Sequence, residues 1–125
     1  MKILIIEPNP QMSEIFATAF AGLGFEVRCA GSAQVAISLM DQSRPDVVLL
    51  ELALPTHNGV EFLFEMRSYA EWQEVPVVLL SSIPGLDLTK WFENPTLNVA
   101  RYFYKPSTNL RTMIGSVQQL ANVQP

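Results

Sequence analysis

Two acids, a hydroxyl and an amine each follow directly on a short apolar run. Glu7 comes after Ile3-Leu4-Ile5-Ile6, Glu51 after Val47-Val48-Leu49-Leu50, Ser81 after Val77-Val78-Leu79-Leu80, and Lys105 after Tyr102-Phe103-Tyr104. Carboxylates can hold a cation or attack an electrophile, while a hydroxyl and an ammonium can grip an anion. Two carboxylates brought to one partly buried place repel each other, and at least one would give up its charge unless a cation stood beside them. Lys105 is the cation at hand. An ion pair between Glu51 and Lys105 is therefore the central structural expectation.

Residues this far apart in sequence need a scaffold to bring them together. The first run, closed by Glu7-Pro8-Asn9-Pro10, has the pattern of a strand buried on both faces. Asn9 then reads as a helix cap with Pro10 at the first helical position. Met12, Ile15, Phe16, Ala19, Phe20 and Leu23 follow at three-and-four spacing, and Gly22 or Gly24 supplies the stop. Further strands are predicted over residues 25–30, 47–52, 76–80 and 101–104. Between them, one helix capped by Ser32 carries Val35, Ala36, Leu39 and Met40, and another after Gly59 carries Val60, Phe62, Leu63, Met66 and Tyr69. Residues 83–93 allow only a short, irregular fourth helix before Asn94-Pro95, and an amphipathic fifth helix capped by Ser107 or Thr108 fills 108–123. Strands alternating with helices imply parallel pairing and right-handed crossovers. The expected fold is α/β, a flavodoxin-like doubly wound five-stranded parallel sheet in the order 2-1-3-4-5 with helices on both faces. Sites in such sheets lie at the carboxyl ends of the strands, where Glu7, Glu51, Ser81 and Lys105 fall.

Composition narrows the functional classes. A chain of 125 residues suits one domain, 1–125, able to bury roughly two-thirds of its unfolded surface. Twelve acidic against eight basic residues give a net charge of −4, which argues against nucleic-acid binding through a basic surface and points to protein partners. Cys29 is the single cysteine, so no intrachain disulfide is available and a reducing compartment is expected, with Cys29 packed in the second strand as a small hydrophobe. The first apolar run is too short for a signal-peptide core or a membrane span, and a cytoplasmic location is expected.

The four residues, with Leu54-Pro55 and Asn58-Gly59 after the third strand and Tyr102-Phe103-Tyr104-Lys105-Pro106 near the end, resemble in order and spacing the receiver domain of two-component response regulators. The resemblance covers essentially the whole chain. It implies a site in which two acids ending strand one and an acceptor aspartate on strand three hold magnesium. A strand-four hydroxyl and a strand-five lysine then grip the phosphoryl oxygens, and a strand-five aromatic moves inward. Carried over, Glu7 stands for the first acid, Pro8 for the second, Glu51 for the acceptor, Ser81 for the hydroxyl, Tyr102 for the aromatic and Lys105 for the lysine.

Two of these depart from the pattern. Magnesium demands near-octahedral oxygen ligation, and Pro8 has no side-chain oxygen, so magnesium binding is expected to be weak or absent and no other cofactor is expected. Glu51 is one methylene longer than aspartate, which displaces the attacking oxygen by roughly an ångström, at a cost on the order of a hundredfold in rate. Losing the metal removes charge neutralisation as well. The expectation is a degenerate, pseudo-receiver type domain, not an enzyme. It would act through protein–protein recognition, by the surface of the fourth helix, fifth strand and fifth helix, with homodimerisation there as one option. Glu51 could hold an activated-like or an inactive arrangement, since a carboxylate brings less charge and fewer oxygens than a phosphoryl group. The alternatives are a phosphorylatable regulator using Glu51 itself, and a small-molecule or flavin binder suggested by the fold alone.

Blander readings stand beside the sharp ones. Glu7 could point into water, and Ser81 could be only a turn hydroxyl. His57 reads as a lone loop histidine without ligand spacing around it. Gly22-Leu23-Gly24 closes a helix instead of following a strand, so it is not a dinucleotide fingerprint. Trp91 and Phe92, with Leu86 and Leu88, are either buried or an exposed apolar patch.

Overall fold

Val, Ile and Leu runs without polar alternation are satisfied by strands covered on both faces, and a computed structural model places them there. It describes residues 1–55, 58–83 and 93–123. Strands β1 (Lys2–Ile6), β2 (Glu26–Ala30), β3 (Val47–Glu51), β4 (Val77–Ser81) and β5 (Val99–Tyr104) form one parallel sheet in the order β2-β1-β3-β4-β5. Every residue of the inner strands β3 and β4 is buried. Four α-helices occur among the described residues: α1 (Pro10–Gly22), α2 (Ala33–Gln42), α3 (Gly59–Arg67) and α4 (Leu110–Val123).

Side-chain alternation along the strands builds two cores. Leu4, Ile6, Val48, Leu50, Val77 and Leu79 face α2 and α3, meeting Ala36, Met40, Phe62 and Met66. Ile3, Ile5, Val47, Leu49, Val78 and Leu80 face α1 and α4, meeting Phe16, Phe20, Met113 and Val117. Each fully buried aliphatic side chain contributes about 1.5–3 kcal/mol, so the two layers hold the strand ends firmly in register. The helix stripes are narrower than the sequence pattern predicts. Ile15, Leu23, Val35 and Tyr69 are 40% exposed or more.

Local signals fix the helix ends. Asn9 Oδ1 accepts from the N–H groups of Gln11 and Met12, with Pro10 beginning the helix. Gly24, at φ +89°, is the stop for α1, whereas Gly22 is still helical. The N–H groups of Gly24 and Phe25 close on the carbonyls of Ala21 and Phe20, and the Phe20 and Phe25 rings meet edge-on at 5.4 Å. The α4 cap is neither Ser107 nor Thr108 but Asn109, whose Oδ1 accepts from Arg111 N–H at 2.8 Å. The two hydroxyls are taken by the Tyr104 carbonyl over a 3-10 turn, Lys105–Ser107.

Two corrections concern the sheet edges. Cys29 is exposed, because β2 is an edge strand paired only with β1. β5 begins at Val99 and carries a bulge: Val77 pairs with Val99 but Val78 pairs with Arg101, so Ala100 is an extra residue. In an unbroken strand Val99 and Tyr102 would face opposite ways; here both pack against the α2–α3 core, and Phe103 packs against the other. Most of the fourth helix expected over 83–93, together with His57, Leu86, Leu88, Trp91 and Phe92, lies outside the described residues.

Candidate functional site

The carboxyl ends of β1, β3 and β5 meet at one cluster. Glu7 follows β1, Glu51 ends β3, and Lys105 opens the 3-10 turn after β5. Since β4 lies between β3 and β5, Lys105 must reach across about 9–10 Å of sheet, which its four-carbon stem and the inward turn of the chain allow. Its Nζ lies 2.7 Å from Glu51 Oε1 and also donates to Glu7 Oε1. The expected Glu51–Lys105 pair is present, and it has a third member.

Glu7 is 4% exposed and Glu51 3%, so the water-facing reading of Glu7 does not hold. The second oxygen of each acid is also engaged. Asn9 N–H donates to Glu7 Oε2 at 3.1 Å, and Ala53 N–H donates to Glu51 Oε2 at 3.2 Å. All four carboxylate oxygens therefore accept from the protein. Burial by itself would lower the Lys105 pKa, but hydrogen bonds and charge from Glu51 and Glu7 outweigh it and hold the ammonium above the ordinary lysine value. Two acids against one ammonium leave a formal charge of −1.

Gly59 shapes the floor beside Glu51. A Cβ there would stand 2.7 Å from Leu52 Cα and 2.9 Å from the Glu51 carbonyl oxygen, and Gly59 N–H donates to the Leu52 carbonyl at 2.7 Å. Only glycine lets α3 start this close to the end of β3. Asn58 caps that helix, its Oδ1 accepting from Glu61 N–H at 2.8 Å.

The remaining candidates take no part in the ion-paired hydrogen bonds of Glu7, Glu51 and Lys105. Ser81, 1% exposed, accepts from Ile83 N–H at 3.1 Å, a local turn contact. Tyr102 is half-buried against the α2–α3 core. Pro8 is half-buried beside Glu7 and offers no donor or acceptor side-chain atom. Magnesium does not fit this donor set: the second acid is missing, the other two oxygen pairs are occupied, and an ammonium already stands between them. Among the described residues no group of three or more His, Cys, Asp or Glu could hold a metal ion.

Arg67 was not singled out from the sequence. It is 5% exposed and donates to the carbonyls of Leu97, Trp72, Gln73 and Asn98. Burial pushes its guanidinium down to about 10, partly offset by the charge of Glu74. The available signal was an arginine continuing the apolar stripe of Leu63 and Met66 on α3.

The sequence pattern of the response regulator receiver domain matches residues 3–114. The chain belongs to that family, a module of two-component signalling. It is 36% identical over 81 residues to the regulatory protein AtoC of Escherichia coli, covering 65% of this chain and 17% of AtoC. It is 33% identical over 87 residues to protein Rrf1 of Nitratidesulfovibrio vulgaris, covering 70% of this chain and 63% of Rrf1. The chain thus spans less than two thirds of each of these relatives. In structure it is similar to a sensor protein from Polaromonas sp. JS666, with a TM-score of 0.86 at 21% identity over 97% of this chain and 95% of that one, a likeness of fold. Among the described residues no helix is long and apolar enough to cross a membrane.

Proposed function

We propose that this chain is a pseudo-receiver, a signalling domain of the receiver family that acts by recognising a protein partner and not by taking a phosphoryl group. The observation carrying the reading is Lys105 bridging Glu7 and Glu51. In this reading the ammonium does permanently, with one positive charge, what a divalent cation would do transiently with two. Glu51 is then a structural counter-ion, and its carboxylate is neither free to attack nor supported by a metal that would neutralise the transferring group.

Pro8 and the longer acid act together. Restoring either alone leaves the other defect, so the phosphoacceptor role of the site is lost as a unit. Ser81 and Tyr102, the clamp and switch equivalents, remain as parts of the packed structure. The domain works in the cytoplasm as a recognition module without catalytic activity, and the face carrying β5 and α4 is the surface offered to the partner or to a second copy.

Acetyl phosphate with magnesium tests the reading by intact mass. An unchanged mass is the expected result. An added phosphoryl group that disappears in Glu51→Gln would overturn it in favour of a phospho-switch using Glu51.

A further inference from the structure

A cleft of about 120 Å³ opens between α1 and α4 beside Lys105. Phe16, Leu80 and Met113 are buried beneath it, and Met12 completes an apolar wall. The half-exposed Ile15 and Leu110 border its opening. An apolar cavity of about 150 Å³ holds a molecule of benzene size, and methionine side chains adapt to the outline of a guest.

Its polar lining is small and specific. Thr108 already donates its hydroxyl proton to the Tyr104 carbonyl at 2.6 Å, which leaves its oxygen to accept. Lys105 has three N–H donors, of which Glu7 and Glu51 take two. The third can serve a guest. An anion would face the surplus negative charge behind Lys105, and a cation would face the ammonium itself.

We propose that the cleft between α1 and α4 binds a compact neutral molecule with an apolar body and one oxygen, the oxygen accepting from Lys105. Such a guest touches Leu80, next to Ser81, and the lysine that ties three strand ends together. It would give the domain a chemical input that needs no covalent step. The proposal stands whether or not Glu51 takes a phosphoryl group.

Benzyl alcohol and benzoate serve as probes, read by the 13C-labelled methionine methyl signals of the full chain. Saturable shifts of Met12 and Met113 with benzyl alcohol are expected, with Met40 and Met66, in the other core, unmoved. Benzoate should bind about tenfold more weakly because of its charge. Ile15→Trp, at an exposed position, should close the opening and abolish the shifts, while Ile15→Ala keeps them. The proposal fails if no saturable shift occurs, if all the methionines move together, if benzoate binds as well, or if Ile15→Trp binds unchanged. Shifts of Met12 and Met113 produced by raising protein concentration alone would assign the cleft to self-association instead.

Discussion

Lys105 Nζ lies 2.7 Å from Glu51 Oε1 across an intervening strand, and the same ammonium donates to Glu7. Removing it leaves two buried acids facing each other without a counter-charge, which costs about 3–5 kcal/mol. Lys105→Met should therefore lower the urea midpoint strongly. Magnesium or calcium should then raise the melting temperature of this variant while leaving the parent chain unchanged. A variant that is as stable as the parent and indifferent to divalent ions would show that the three side chains are not energetically coupled.

The raised pKa of Lys105 has a defined consequence at high pH. The folded state holds the proton more tightly than the unfolded state, so the triad's stabilisation is complete below the ordinary value of 10.5 and is lost as pH rises through the higher folded value. Urea unfolding followed from about pH 9 to above 10.5 should show a decline beginning near 10.5 that is steeper than any in Lys105→Met. Parallel declines in both proteins would place the effect elsewhere.

A gain of phosphoacceptor chemistry is a stricter test of the proposed pseudo-receiver reading. Pro8→Asp combined with Glu51→Asp supplies the second acid and shortens the acceptor, so acetyl phosphate with magnesium should add a phosphoryl group to the double variant. Each single variant should remain unmodified or react about a hundredfold more slowly. A single Glu51→Asp that reacts as fast as the double variant would mean that Pro8 has no part in the loss.

Arg67 holds four backbone carbonyls from the segment after α3 and the approach to β5. Arg67→Met should destabilise the fold by about 2–4 kcal/mol, because buried acceptors are left unpaired. Arg67→Lys should recover little, since an ammonium cannot reproduce the planar fork. Equal stability of parent and Arg67→Lys in urea would contradict this.

Gly59→Ala would press a methyl group against Leu52 Cα and the Glu51 carbonyl. Overpacking of this kind costs about 1–3 kcal/mol. Because the displaced backbone carries Glu51, the variant should also lose part of the alkaline decline described for Lys105. Full retention of both stability and pH profile would show that α3 can shift without disturbing β3.

Much of the architecture was legible because it depends on patterns that survive in one dimension. Four apolar runs announced strands of a parallel sheet, and each run delivered its polar neighbour to the same end of that sheet. Like-charge repulsion between Glu7 and Glu51 was enough to anticipate that Lys105 would stand beside Glu51. What could not be read depended on which of several competent residues wins a local contest. Asn109 prevails over Ser107 and Thr108 as a cap because the 3-10 turn directs both hydroxyls to the Tyr104 carbonyl. Gly24, not Gly22, ends α1 through its positive φ. Arg67 carried no legible signal of its role, because its four carbonyl partners come together only in the fold and three of them lie in segments without regular periodicity. Cys29 was expected to pack as a small hydrophobe, but position at the rim of a sheet is a property of topology.

Ala100 decides which aromatic ring addresses which helical layer. A strand of strict alternation would have to choose between seating Val99 and seating Tyr102 on the α2–α3 side; the inserted residue lets both sit there and sends Phe103 the other way. Forcing that alanine into the ladder would exchange the phenol and the phenyl group between layers, whereas deleting it would leave Val99, Tyr102 and Phe103 opposite the same partners, so the ring available for any rearrangement of β5 depends on one small residue staying looped out of the pairing.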